Sequence, residues 1–284
     1  MRFGKITSEV FVPDGISPQE ALRRTTHLAV GAHQDDLEIM ALDGILACFG
    51  RDDRWFTGVI VTNGAGSPRA GLYASYTDAQ MQAVRRKEQR KAAVVGEYSA
   101  VVFLDYSSAE AKDPQNKEVV QDIQTILEAA SPEVVYTHNL ADKHPTHVSA
   151  ALRTLSAIRR LPEDRRPSRF YGCEVWRDLD WMADADKVVF RLDEHENIAM
   201  SLVGIFDSQV IGGKRYDLAT MGRRRAHATY LESHEVDVSQ MVNFAMDLTP
   251  LIADDSLDPA AYVRAHIDRF AEEVTHAIAK LSGQ

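Results

Sequence analysis

Two short stretches hold the residues best equipped for chemistry. Ala32-His33-Gln34-Asp35-Asp36 follows an apolar run, and His144-Pro145-Thr146-His147 lies far downstream. Each begins where a predicted strand hands over to a predicted helix. Together they offer imidazoles and two adjacent carboxylates, enough for a three-ligand metal site with a base beside it, the equipment of a zinc hydrolase. His33 and Asp36 are three residues apart, as are His144 and His147, which puts both members of each pair on one face if the segment is helical. Neutral imidazoles with a carboxylate suit Zn²⁺ and leave a fourth position for water. The same donors accept Fe²⁺ or another first-row divalent ion. Such an ion lowers the pKa of water from 15.7 toward about 7. Asp35 is then the spare carboxylate, placed to accept a proton as general base. A second imidazole, kept protonated by an acid such as Asp142, would stabilise an oxyanion.

The elements that must position these residues alternate in type. Strands are predicted at His27 to Gly31, Trp55 to Val61, Val101 to Leu104 and Pro132 to Thr137. Helices are predicted at Asp36 to Phe49, Asp78 to Val95, Val119 to Ala130 and Pro145 to Ile158. Four β-α units in a row argue for a parallel sheet with helices on both faces, a Rossmann-like α/β fold. In a 3-2-1-4 strand order the first and fourth strands are neighbours at the point where the order reverses. Ligands of open α/β sheets bind at the carboxyl ends of the strands there. The topology therefore predicts that His33, Asp35 and Asp36 meet His144 and His147.

Residues 1–24 read as an N-terminal extension, with a short strand at Val10 to Val12. Residues 25–165 form the Rossmann-like core. Residues 166–284 form a C-terminal α+β extension packed on it in one composite domain. There, strands are predicted at Phe170 to Trp176 and Val188 to Leu192, and helices at Ile198 to Phe206, Tyr216 to Tyr230 and Pro259 to Leu281.

Composition narrows the function class. Apolar content of 45% and charged content of 26% are ordinary for a globular protein. A net charge of −10 argues against a nucleic-acid binder. The basic runs Arg223-Arg224-Arg225 and Arg85 to Lys91 read as solvated helix faces. Two cysteines, Cys48 and Cys173, are too few for a disulfide framework. Met1 to Lys5 has no signal-peptide core, and no stretch approaches a membrane span. A cytoplasmic protein with neither nucleic acid nor membrane as partner is expected.

The motifs resemble those of a known family. Gly31-Ala32-His33-Gln34-Asp35-Asp36-Leu37-Glu38 is similar to the AHPDDxE motif of the PIG-L/LmbE-like zinc N-deacetylases, and His144-Pro145-Thr146-His147 to their HPDH motif. Arg85-xx-Glu88-xxx-Ala92-xxx-Gly96 matches their R-x-x-E-x-x-x-A-x-x-x-G helix. The resemblance covers roughly residues 25–210. It implies one Zn²⁺ per chain held by His33, Asp36 and His147, with Asp35 as base and His144 assisting the oxyanion. The substrate it implies is a small N-acetylated amino sugar or a conjugate of one, and family members often form homo-oligomers. Gln34 stands where the family has proline, and Thr146 where it has aspartate.

Softer candidates surround these. Asn63, in the loop Asn63-Gly64-Ala65-Gly66-Ser67, and Arg85 are candidate substrate contacts. His138 is expected behind the ligands rather than among them. Tyr171, Glu174 and Trp176 read first as core and second as a sugar pocket, and Gly212 to Tyr216 as a weaker candidate for an acidic substrate group. Two rivals share the motifs: an amidase that splits a larger amide such as a thiol conjugate, and a sugar- or metal-binding relative without catalysis. Retention of Asp35 argues against the second, because a pure binder needs no base.

Overall fold

The computed structural model describes residues 1–283. Eight strands form one sheet: β1 (Glu9–Phe11), β2 (His27–Gly31), β3 (Phe56–Thr62), β4 (Ala100–Tyr106), β5 (Val134–His138), β6 (Arg169–Cys173), β7 (Lys187–Arg191) and β8 (Val242–Asp247). Their order is β1-β4-β3-β2-β5-β6-β8-β7. The stretch β4-β3-β2-β5 is the expected 3-2-1-4 arrangement, and its neighbours pair in parallel. β6 continues the parallel set beside β5. β1 and β8 run antiparallel to β4 and β6 respectively, and β7 antiparallel to β8.

Strand β2 shows why this sheet is buried on both faces. All five of its residues are buried, and they alternate: Leu28 and Val30 pack into one apolar cluster, Ala29 into the other. The first cluster takes Val119, Val120, Ile123, Ile126 and Leu127 from the helix Glu118–Ala130, and Ala150, Leu155 and Ile158 from the helix Pro145–Arg159. The second takes Leu37 to Cys48, with Ala92 and Ala93 of the helix Asp78–Val95. That last helix starts in a Thr77/Gln80 capping box, a device that stabilises a helix start by about 1 kcal/mol.

Three features differ from the sequence reading. The helix expected from Asp36 to Phe49 breaks at Ala41 into Asp36–Met40 and Leu42–Cys48. Residues 1–24 hold the expected short strand, β1 at the sheet edge, and also an unexpected capped helix, Pro18–Arg23, whose Leu22 is buried in the core. β8 was not anticipated: Val-Asn-Phe-Ala-Met-Asp is poor in β-formers, and its position between β6 and β7 buries it regardless. Among the described residues, no helix is long and apolar enough to cross a membrane.

Candidate metal centre

The two stretches meet where the strand order reverses. Val30 of β2 pairs with Thr137 of β5, so Ala32 and His33 leave the sheet beside His138 and the loop that leads to His144. His33 Nδ1 lies 3.2 Å from His147 Nε2 and 3.3 Å from Asp36 Oδ2, and His147 Nε2 lies 3.5 Å from Asp36 Oδ1. Three donors set about 2.0–2.1 Å from one zinc at tetrahedral angles would stand about 3.3–3.4 Å apart. The donor types and pair spacings suit a divalent ion, the two Asp36 distances running to different carboxylate oxygens; His33, His144 and His147, and likewise Asp36, His138 and His147, each bring one donor atom within 4.8 Å of the others.

Buried residues stand behind this trio. His147 Nδ1 faces Asp142 Oδ1 at 3.4 Å, which leaves the Nε2 lone pair toward Asp36 and His33. Burial lowers the His147 pKa to about 4, so the ring is neutral and can act as a ligand. Asp142 also accepts the backbone N–H groups of His144 (2.8 Å) and Trp176 (3.0 Å). The sequence reading set Asp142 beside the His144 imidazole; the structure instead turns it to His147, because its Oδ1 is tied to the His144 main chain. His138 is fully buried, stacks on His147 at 3.9 Å, and accepts the Ala32 N–H at 2.9 Å through Nε2. Asp36 Oδ2 is 3.3 Å from that same nitrogen. Asp36 is held well below the usual carboxylate range: burial opposes this, but His147, His138 and His33 together outweigh it.

Asp35 occupies a left-handed backbone conformation, φ 89° and ψ −28°, uncommon for a residue with a side chain. Its N–H donates to Gln89 Oε1 at 3.2 Å. Its Oδ2 is buried without a hydrogen-bond partner, 3.2 Å from the buried Arg85 guanidinium. Burial pushes its pKa upward, and Arg85 opposes that. Arg85 also donates to the Gln34 carbonyl, so this basic residue is no solvated surface group. Gln34, in place of the family's proline, donates from Nε2 to the Thr62 carbonyl at 3.1 Å and pins the loop to the end of β3. Gly64 must be small there: its φ is +76°, and a Cβ would come within 2.6 Å of Gln34 Oε1.

His144 is the N-cap of the helix Pro145–Arg159; its Nδ1 accepts the Thr146 N–H at 3.3 Å. That places its proton on Nε2. Burial and the nearby His33 lower its pKa, which favours the neutral ring with Nε2–H as donor. His33, Asp35, Asp36, Arg85, His144 and Thr146 line a cavity of about 500 Å³. The far wall comes from the later chain: Trp176, Gln209, Lys214 and Tyr216. Lys214 lies 4.8 Å above the Trp176 ring. Gly64, Gly66, Ser67 and Pro68, with Ser108 and Lys112, complete the lining, whereas the Asn63 side chain is engaged in its own loop, accepting the Ala65 N–H. Glu174 is structural, accepting the Leu179 and Phe244 N–H groups, and Tyr171 packs on Phe190.

The helix Asp78–Val95 ties these parts together. Besides Arg85 and Gln89, its Glu88 accepts both the N–H and the hydroxyl of Ser208 at 2.7 Å, anchoring the segment that carries Gln209 and Lys214. Arg224, within the second run read as a solvated face, is fully buried and donates to the Glu38 and Ile39 carbonyls at the end of the helix Asp36–Met40. Asn243 Nδ2 donates to the Ile39 carbonyl as well. Gln89 and Gln209 had no motif to announce them, although Gln89 adjoins the matched Glu88.

Sequence comparison agrees with this geometry: residues 28–158 match the model of PIG-L, the GlcNAc-PI de-N-acetylase family. The match spans a little under half of the chain. The PIG-L segment contains His33, Asp35, Asp36, Arg85, His144 and His147, but not the Trp176–Tyr216 wall. No curated protein matches the chain by sequence. Among solved structures, N,N'-diacetylchitobiose deacetylase from Pyrococcus horikoshii superposes with a TM-score of 0.62 at 15% identity, over 81% of this chain and 86% of its own. GalB, the 4-carboxy-2-hydroxymuconate hydratase from Pseudomonas putida KT2440, gives 0.61 at 17% identity, over 79% and 96%. A deacetylase of teicoplanin biosynthesis gives 0.57 at 17% identity, over 78% and 98%. At these identities the likeness establishes the α/β fold. The presence of a hydratase among the neighbours shows that the fold by itself does not select the reaction.

Proposed function

We propose that this protein is a metal-dependent hydrolase that removes the acetyl group from an N-acetylglucosaminyl-type small molecule. The observation that carries the proposal is the Asp35 carboxylate on the cavity wall, ion-paired to Arg85, beside His33, Asp36 and His147, whose donor atoms approach one another to 3.2–3.5 Å in pairs. The match of residues 28–158 to the PIG-L model supports the deacetylase chemistry. His33, Asp36 and His147 would hold the ion, zinc by donor type, with Fe²⁺ compatible. When bound, it supplies a Lewis acid and a water acidified to near neutrality.

The chain's own residues do the rest. The Asp35 carboxylate takes a proton from the attacking water, as the new C–O bond forms at the acetamide carbon. His144 Nε2–H donates to the oxygen on which negative charge develops. Arg85 holds Asp35 in place and keeps its conjugate base stabilised. The proton on Asp35 then passes to the leaving nitrogen, the C–N bond breaks, and acetate and the free amine depart. Trp176 and Tyr216 offer ring faces to the sugar. A cavity of about 500 Å³ suits a small-molecule substrate.

The test is acetate release by the purified protein from a panel of N-acetylglucosamine conjugates, alongside amides of longer acids. Acetate from the amino-sugar panel is the expected result. Cleavage confined to the longer amides would replace the deacetylase with an amidase, and turnover of neither would leave a binding protein.

A further inference from the structure

The C-terminal helix Pro259–Ser282 leaves the body of the protein part-way along its length. Tyr262 and Val263 pack against the core, His266 is buried, and Arg269 is paired with Asp186 at 2.5 Å. From Arg269 to Gly283 every side chain is exposed except Ala279, which is half-buried. The segment from Ile267 to Ser282 thus projects for about 24 Å.

This arm is not polar all round. Ile267 is 43% exposed, Phe270 39%, Val274 40%, Ile278 62% and Leu281 86%. At 3.6 residues per turn these five and Val263 fall within an arc of roughly 80°. The stripe continues the line on which Val263 meets the core. Large apolar side chains aligned in this way on a free helix mark an interaction surface. A helix of this length gains little stability from its own sequence in water and relies on packing of its apolar face.

We infer that the arm pairs with the same arm of a second copy, antiparallel and centred on Val274. Two observations select that partner. The stripe is symmetric about Val274: Ile267 and Leu281 lie seven residues to either side, and Phe270 and Ile278 four. Reversal about Val274 therefore sets Ile267 against Leu281, Phe270 against Ile278 and Val274 against itself, the self-complementarity a two-fold interface demands. Parallel pairing is excluded by the body. At Val263 the core already occupies the stripe's side of the helix, where the base of a parallel partner would have to lie. Antiparallel pairing puts each body beyond the other's tip. The flanks bear Arg264, Arg269 and Lys280 against Asp268, Glu272 and Glu273. That even balance lacks the excess of Lys and Arg typical of a helix lying on a membrane.

Light scattering on the full-length protein should give twice the chain mass of 31.6 kDa, falling to the single mass in Val274→Glu and in Ile278→Glu. Both positions are exposed in the single chain, so thermal melting of the dilute protein should not change beyond loss of the dimer. Under oxidation, a mixture of Ile267→Cys and Leu281→Cys chains should cross-link to each other in preference to like chains; the native cysteines are buried. A wild-type protein that stays monomeric at tens of micromolar would overturn the inference, as would a dimer that survives both Glu substitutions. Preferential cross-linking of like chains would also overturn it. So would a monomer that binds phosphatidylserine vesicles through Val274 and Ile278, which would give the stripe to lipid.

Discussion

The Asp35 carboxylate and the Arg85 guanidinium stand 3.2 Å apart, both almost fully buried, across the junction between β2 and the helix Asp78–Val95. A buried cation beside a buried carboxylate keeps the base ionisable in a site that would otherwise neutralise it. On the proposed mechanism the pair serves the chemistry as well as the packing.

Asp35→Asn preserves the volume and the main-chain bond to Gln89 but removes the proton acceptor. Loss of general-base catalysis costs on the order of 10²–10⁴ in rate. The expected outcome is a fall in kcat of that size with bound metal unchanged, checked by steady-state acetate release and elemental analysis of the same preparation.

Arg85→Met strands Asp35 and frees the Gln34 carbonyl. Removing one partner of a buried ion pair costs about 3–5 kcal/mol. A large drop in unfolding free energy is expected by urea denaturation, with Arg85→Lys intermediate because a lysine carries the charge without the second donor arm.

Glu38, the last residue of the Asp-Asp-Leu-Glu run, accepts from Tyr98 Oη and Gln89 Nε2, both at 2.7 Å, and burial pushes its pKa up to about 7. A carboxyl whose folded pKa is raised favours the folded state at low pH. That contribution is complete below its unfolded value, near 4.5, and is lost as pH rises through 7. Glu38→Gln should therefore gain stability relative to the wild type between these two pH values, read as the difference in denaturation midpoints. A difference that does not vary with pH would show that Glu38 does not titrate there.

Cys48 and Cys173 are both buried, and burial raises the Cys48 pKa to about 12. Thiolate is the reactive form. A thiol reagent at pH 8 should label neither residue in the folded protein within minutes and both in denaturant; rapid labelling of the native state would contradict this burial.

Much of the site was legible because its residues sit at strand ends. His33, Asp35 and Asp36 follow β2, and His144 and His147 follow β5, so strand order alone brought them together. What was not legible depends on contacts between distant segments. Arg224 reads as one of three consecutive arginines, and only the packing of its helix beneath Ile39 buries it. Asp142 adjoins His144 in sequence, yet its carboxylate is turned by the N–H groups of His144, Trp176 and Arg177 toward His147. β8 lacks the composition of a strand and takes its conformation from its two neighbours. The break at Ala41, where φ is −110° and ψ 26°, has no glycine or proline to announce it.

The central claim is that His33, Asp36 and His147 grip one divalent ion beside the Asp35 carboxylate. Equilibrium dialysis of the chelator-stripped protein against Zn²⁺ addresses it most directly. One ion per chain in the wild type, unchanged in Asp35→Asn and reduced at least tenfold in affinity in His147→Ala, is the predicted result. A wild-type protein that takes up no ion, or a His147→Ala protein that binds as tightly as the wild type, would contradict it.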